Sequence, residues 1–118
     1  MSLDPEKCVS NTVEIAIGET KSTAIRIGHY DNIAILLPAN WITGTITFEA
    51  SATEDGTYLP VVYADDVGAV TIASVAHSQC ICPSGEIYEA LKPLAWIKLV
   101  AGAAQTTTAK VITIIMKR

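Results

Sequence analysis

The sequence predicts an all-β chain, an antiparallel β-sandwich of jelly-roll-like form with about eight short strands. Three observations predict it. Apolar and polar residues alternate with a period of two through most apolar stretches, the repeat of a half-buried strand. Clusters of turn-forming residues recur every ~8–12 residues. No helical period runs long enough for a stable helix, so at most one short helical turn is expected.

The elements follow in order. Residues 1–11 are polar and carry Pro5, which reads as an N-terminal arm and leaves 12–118 as a single β-sandwich domain. "TVEIAI" alternates, with Val13, Ile15 and Ile17 on one side, and "GETKS" turns the chain. "TAIRI" alternates again through Ile25 and Ile27. "NIAILL" is continuously apolar, as a strand covered on both faces would be, and Pro38 ends it. In "GTITFEAS", Ile46, Phe48 and Ala50 face one way, and Thr45, Thr47 and Glu49 the other. "EDG" then breaks the run and "TYLPVVY" returns. Asp55-Gly56 between two β-rich runs signals a hairpin, because glycine tolerates positive φ. Pro60 cannot donate to a ladder, which puts the return strand at an edge or a bulge. "VTIAS" follows another acidic turn. Residues 74–94 are less regular and hold the one candidate helical turn, with Ser84 as a cap before Pro93. "AWIKLVAG" is a strand, "AAQTTT" a connector, and "AKVITIIMK" the closing strand.

That last strand is apolar on both faces. Ile112, Ile114 and Met116 share one, Val111 and Ile115 the other. One face meets the core and the other must meet something else. With Trp41 as a loop anchor, Ile112, Ile114 and Met116 are the candidate interface residues, and self-association is expected.

Composition narrows the function classes. The chain has 118 residues, half of them hydrophobic and 17% charged, with a formal net charge of −4. One domain's worth of chain with so little charge predicts apolar surface beyond the core, for which subunit contacts are the usual outlet. No apolar run approaches the ~18 residues of a membrane span, so no membrane partner is expected. Lysines and arginines are scattered and only Lys117 and Arg118 adjoin, which argues against a nucleic-acid partner. The N-terminus carries no apolar signal core, predicting a chain made in the cytoplasm and not exported by the usual route. The three cysteines are then expected as reduced thiols.

"HSQCICP", residues 77–83, is the one stretch that looks like a site. A one-residue gap between Cys80 and Cys82 is wrong for a zinc knuckle, and a fourth ligand would have to come from afar. Small buried hydrophobes are the expected role of these thiols, and no metal or cofactor is expected. The acidic pairs Glu54-Asp55 and Asp65-Asp66 read as solvated turn tips. No G-x-S-x-G, H-E-x-x-H or P-loop is present, and enzyme is the least expected class.

The segment "WITGTITFEASATEDGTYLPVVYADD" resembles small structural proteins of tailed-bacteriophage virions, in which a Trp-containing loop precedes a T-F-x-x-S strand, a D-G-x-x-[YF] hairpin and an acidic turn. "SGEIYEALKPLAWIKLVAGAAQTTTAKVITIIMKR" is similar to their closing segment, although "V-A-G" at 100–102 stands where they often have "R-S-G". The resemblance covers residues 40–118. It implies a capsid cement or decoration protein, located in the virion on the capsid surface. It further implies a homo-oligomer, a trimer, bound to the major capsid protein lattice, with no active site. The alternatives are a carbohydrate-binding β-sandwich module of a fibre or baseplate, with Trp41 as its stacking platform, and a head–tail joint or tail protein.

Overall fold

The computed structural model describes residues 8–28, 32–63, 68–83, 87, 91 and 94–117. Among the described residues nine strands form two sheets: β1 (Cys8–Ile15), β2 (Ile25–Arg26), β3 (Asn32–Leu36), β4 (Gly44–Ser51), β5 (Leu59–Pro60), β6 (Ile72–Val75), β7 (Cys80–Ile81), β8 (Trp96–Ala101) and β9 (Lys110–Lys117). One sheet has the order β1-β9-β3-β7. The other runs β2-β8-β4, with β5 and β6 sharing the outer edge of β4. All pairings are antiparallel.

The pairings are nested. β1 lies beside β9, β2 beside β8, β3 beside β7, and β4 beside β5 and β6. The chain is one long hairpin whose two arms run together from the termini to the β4–β5 turn and bend over into two layers. This is the jelly-roll arrangement that the strand spacing predicts.

The two inner faces supply the core. Val13 and Ile15, Ile33 and Ile35, and Ile112, Ile114 and Met116 face inward from the first sheet. Ile25, Ile46, Phe48, Ile97 and Leu99 meet them from the second. Ile27, Leu37, Trp41, Val70, Leu91 and Ala101 complete the cluster.

Several expectations change. β1 starts at Cys8, inside the stretch read as an arm, because residues 8–11 already pair with 114–117. The ninth strand is β7, drawn from "HSQCICP", where two residues suffice to pair with Ile35 and Leu36. The expected helical turn at 84–94 lies largely outside the described residues. Pro60 does sit on the outer edge of its sheet. Gly56 does not hold positive φ; among described glycines only Gly18 does, at 78°. The hairpin needs glycine at 56 for space. A Cβ there would fall on Ser51 Oγ and within 2.6 Å of Thr53 Oγ1.

Candidate functional site

Period two gives each sheet an outer face, and the two outer faces differ in chemistry. On the five-stranded sheet, Arg26, Thr47, Glu49, Trp96 and Lys98 point outward, opposite the buried partners in the same strands. This face is polar and internally paired. Lys21 Nζ lies 3.0 Å from Glu49 Oε2, and Lys98 Nζ sits 4.4 Å from the centroid of the Tyr58 ring. The Tyr58 hydroxyl donates to the Glu54 carbonyl at 2.9 Å. Loss of water around the ring, with the Glu54 and Asp55 carboxylates adding to it, raises this phenol above its ordinary pKa.

The outer face of the four-stranded sheet is aliphatic along β3 and β9, apart from Thr113, and polar along β1, where Ser10, Thr12 and Glu14 lie. Ala34 lies opposite Ile115, and Leu36 lies opposite both Thr113 and Cys80. Val111 completes the stripe along β9 at 50% exposure, the others being partly or fully exposed. Charge on this face is confined to its margins, at Glu14 and Lys117. A groove of about 310 Å³ borders it, lined by Leu36, Leu37, Ser78, Gln79 and Cys80. Two central strands thus present aliphatic side chains to the outside.

The residues expected at a contact occupy other places. Trp41, Ile112, Ile114 and Met116 are all buried, at 3%, 0%, 1% and 2% exposure, and none is available as a surface anchor. The reason is register. Residues 112, 114 and 116 lie opposite Val13, Ile35 and Ile33 on the inner face, so the second apolar face of β9 is that of Val111 and Ile115. Trp41 is buried in the loop between β3 and β4, where it cannot offer its ring to a sugar.

"HSQCICP" is also not core. His77, Cys80 and Cys82 are exposed, and His77 Nδ1 makes a 3.1 Å contact with Ser78 Oγ. A two-residue edge strand buries little beyond Ile81, which leaves both thiols outside. No cluster of three or more metal-ligating side chains occurs among the described residues. Asp65 and Asp66 lie outside them.

Three buried polar residues, Ser22, Gln105 and Lys110, escaped the sequence reading; Ser22 Oγ accepts from the Leu99 N–H at 2.9 Å. Gln105, fully buried, ties three loops together. Its Oε1 accepts from the Ile42 N–H at 2.9 Å, and its Nε2 donates to Ala103 O at 2.9 Å and Ile42 O at 3.3 Å. Its backbone bonds the turn after β1, through Gly18 N and Glu19 O. Lys110 is 1% exposed, with Nζ donating to Thr106 O, Thr108 O and Thr108 Oγ1 at 2.9, 2.7 and 3.2 Å. Gln105 and Lys110 together tie the connector between β8 and β9 to itself and to the loops after β1 and β3. The "A-Q" of the closing segment was the only hint.

No protein-family model matches the chain, and no curated protein matches it. Among solved structures, the chain is similar to YomS, a protein derived from the SPBc2 prophage. The two are 12% identical over 92% of this chain and 96% of that one, with a TM-score of 0.47. A chain of the Bacillus endospore appendages, which form disulfide-linked pili, is 17% identical over 94% and 88%, with a TM-score of 0.36. CsCBM6-3 from Clostridium stercorarium, solved with cellobiose, is 12% identical over 91% and 73%, with a TM-score of 0.33.

Proposed function

We propose that this chain is a non-enzymatic structural protein of a tailed-bacteriophage virion, a capsid cement or decoration protein. It binds the assembled major capsid protein lattice through the outer face of its four-stranded sheet and stabilises the shell. The observation that carries this reading is the difference between the centres of the two outer faces: one holds Glu49 and Lys98, each engaged by a neighbour, the other is aliphatic along β3 and β9 with charge only at its margins. The sequence resemblance over residues 40–118 supplies the shell as partner. The net charge of −4 and the scattered basic residues suit a protein partner better than packaged DNA.

On this reading the anchors are Leu36, Val111 and Ile115, in place of Ile112, Ile114 and Met116. Many copies, each holding weakly, lock the lattice by multivalency. The trimer implied by the resemblance belongs to the same proposal as an arrangement of copies on the assembled lattice, distinct from association in solution, and a tail or joint protein would use the same face on a different surface of the particle.

The test is to strip the protein from particles or delete its gene, then apply heat or osmotic shock. Shells lacking it should rupture earlier, and adding it back should restore them. Shells that survive equally well without it would refute the role. Immuno-labelling of intact particles separates capsid surface from tail.

A further inference from the structure

The four edges of the sandwich are unequal. β2 and β7 are two residues long, and the edge beside β4 is split between a two-residue β5 carrying Pro60 and a β6 whose register breaks between Gly44 and Ile46. Shortness, proline and register breaks are the usual devices that stop a sheet edge from pairing with another chain. β1 has none of them. It pairs with β9 over eight residues in unbroken register, and residues 8–13, "CVSNTV", carry no charge.

The state of its backbone can be read from the bonds made. Thr23 N donates to Glu14 O at 3.0 Å, and Glu14 N donates to Thr23 Oγ1 at 3.1 Å, so the Glu14 peptide groups face away from β9 and are taken. Alternation turns the peptide groups of Ser10 and Thr12 to the same outer side. Thr12 N donates to its neighbour's Asn11 Oδ1 at 3.1 Å, a local substitute for a strand partner. Ser10, Asn11 and Thr12 are exposed, and a cleft of about 590 Å³ runs beside them, with Val9, Ile25 and Trp96 in its walls.

We propose that this edge pairs with the same edge of a second copy of the chain, antiparallel, about a two-fold axis near Asn11. An edge with outward N–H and C=O groups takes an extended backbone. Between copies of this chain, the other edges are blunted, which leaves β1 against β1, and a patch that meets itself is isologous and two-fold. The missing charge points the same way. About an axis at Asn11, residues 9–13 of one copy face 13–9 of the other, and with no charge among them no like-charge pair is set across the seam. With the axis at Asn11, Ser10 of one copy exchanges backbone bonds with Thr12 of the other. The two Asn11 residues face one another as a non-hydrogen-bonded pair. The pairing is independent of the shell-binding reading, since it uses the edge of the sheet and leaves the apolar face free.

Sedimentation of the purified full chain across a concentration series tests it. The wild type should show a monomer–dimer equilibrium. Ser10→Pro should weaken it by at least about tenfold, because it removes an outward donor while leaving the ladder to β9 intact. Circular dichroism would show that the fold is kept. As a second arm, Asn11→Cys is placed in a background with Cys8, Cys80 and Cys82 changed to Ser and exposed to oxidised glutathione. Facing Cα atoms about 4.5 Å apart lie within disulfide range, so a covalent dimer should form, whereas Thr47→Cys on the opposite sheet should give none. A wild type that stays monomeric throughout would overturn the proposal. So would self-association that survives Ser10→Pro, or one whose Asn11→Cys form does not cross-link. If Ser10→Pro fails to fold, the cross-link alone decides.

Discussion

At Gly102 the Cα comes so close to β4 that an added Cβ would fall on Thr45 Oγ1 and lie 3.1 Å from the Thr45 backbone nitrogen. The Gly102 N–H donates to Thr45 O at 2.7 Å, so the backbone cannot back away without losing that bond. Gly102→Val should therefore destabilise the fold by about 1–3 kcal/mol, the range of overpacking. At Gly56 the obstructing atoms are hydroxyls that can rotate, at the cost of the 3.2 Å bond from Thr53 N to Ser51 Oγ. Gly56→Val should cost about 1 kcal/mol, less than at Gly102. Urea unfolding of both variants checks the order, and equal losses would contradict the distinction between backbone and side-chain obstruction. Gln105 is the sharper case. Gln105→Leu keeps the volume but leaves the Ile42 N–H and the Ala103 carbonyl without their partner. A buried group left unsatisfied costs about 1–3 kcal/mol, so this one substitution should lower stability by about 2 kcal/mol or more. A neutral result would mean that water replaces the amide.

At the scale of the element, β9 makes a test of which face is the core. Ile114, at 1% exposure, and Val111, at 50%, are three residues apart on one strand. Ile114→Ala removes buried methylenes and leaves a cavity, which should cost about 2–5 kcal/mol. Val111→Ala removes atoms that already meet water, and should change stability by less than about 0.5 kcal/mol. Equal effects would show that the outer face is covered in the isolated protein, and would place a subunit contact there. β4 and β8 illustrate the opposite design. Their outer residues, Glu49, Lys98 and Thr47, solvate the sheet and engage Lys21 and Tyr58. The Lys21–Glu49 pair, with its lysine in solvent and its carboxylate partly covered, adds little stability by itself. Its effect is to keep that face wet.

Across the whole molecule, the sandwich has one wet face, one aliphatic face and one open edge, each in a different direction. Shell binding through the aliphatic face gives a specific expectation. Ile115→Lys should leave the fold intact, since the side chain is only partly buried, and should weaken binding to stripped shells by at least about tenfold. Thr47→Lys on the opposite face should leave binding unchanged. Co-sedimentation with shells reads both; equal loss, or none in either, would remove the aliphatic face from the contact. An apolar contact also predicts shallow salt dependence, in contrast to a charge-driven complex.

The sequence alone determined the class of fold and much of its anatomy. Period-two runs, Pro38, Asp55-Gly56 and Pro60 act within a few residues of themselves, so strands, turns and the edge position of β5 were legible without knowing what packed where. The orientation of β9 was not. Both of its faces are apolar, and alternation says that they differ without saying which one is inward. Only pairing with Val13, Ile33 and Ile35, residues about eighty to a hundred positions away, settles that Ile112, Ile114 and Met116 are core. The same distance in sequence hides the clamp at Gln105, whose partner Ile42 lies 63 residues earlier. It also hides the exposure of Cys80 and Cys82, which depends on β7 being an edge. Local chemistry writes the elements into the chain. The nested long-range pairing of the two arms decides which of their faces is left for another molecule.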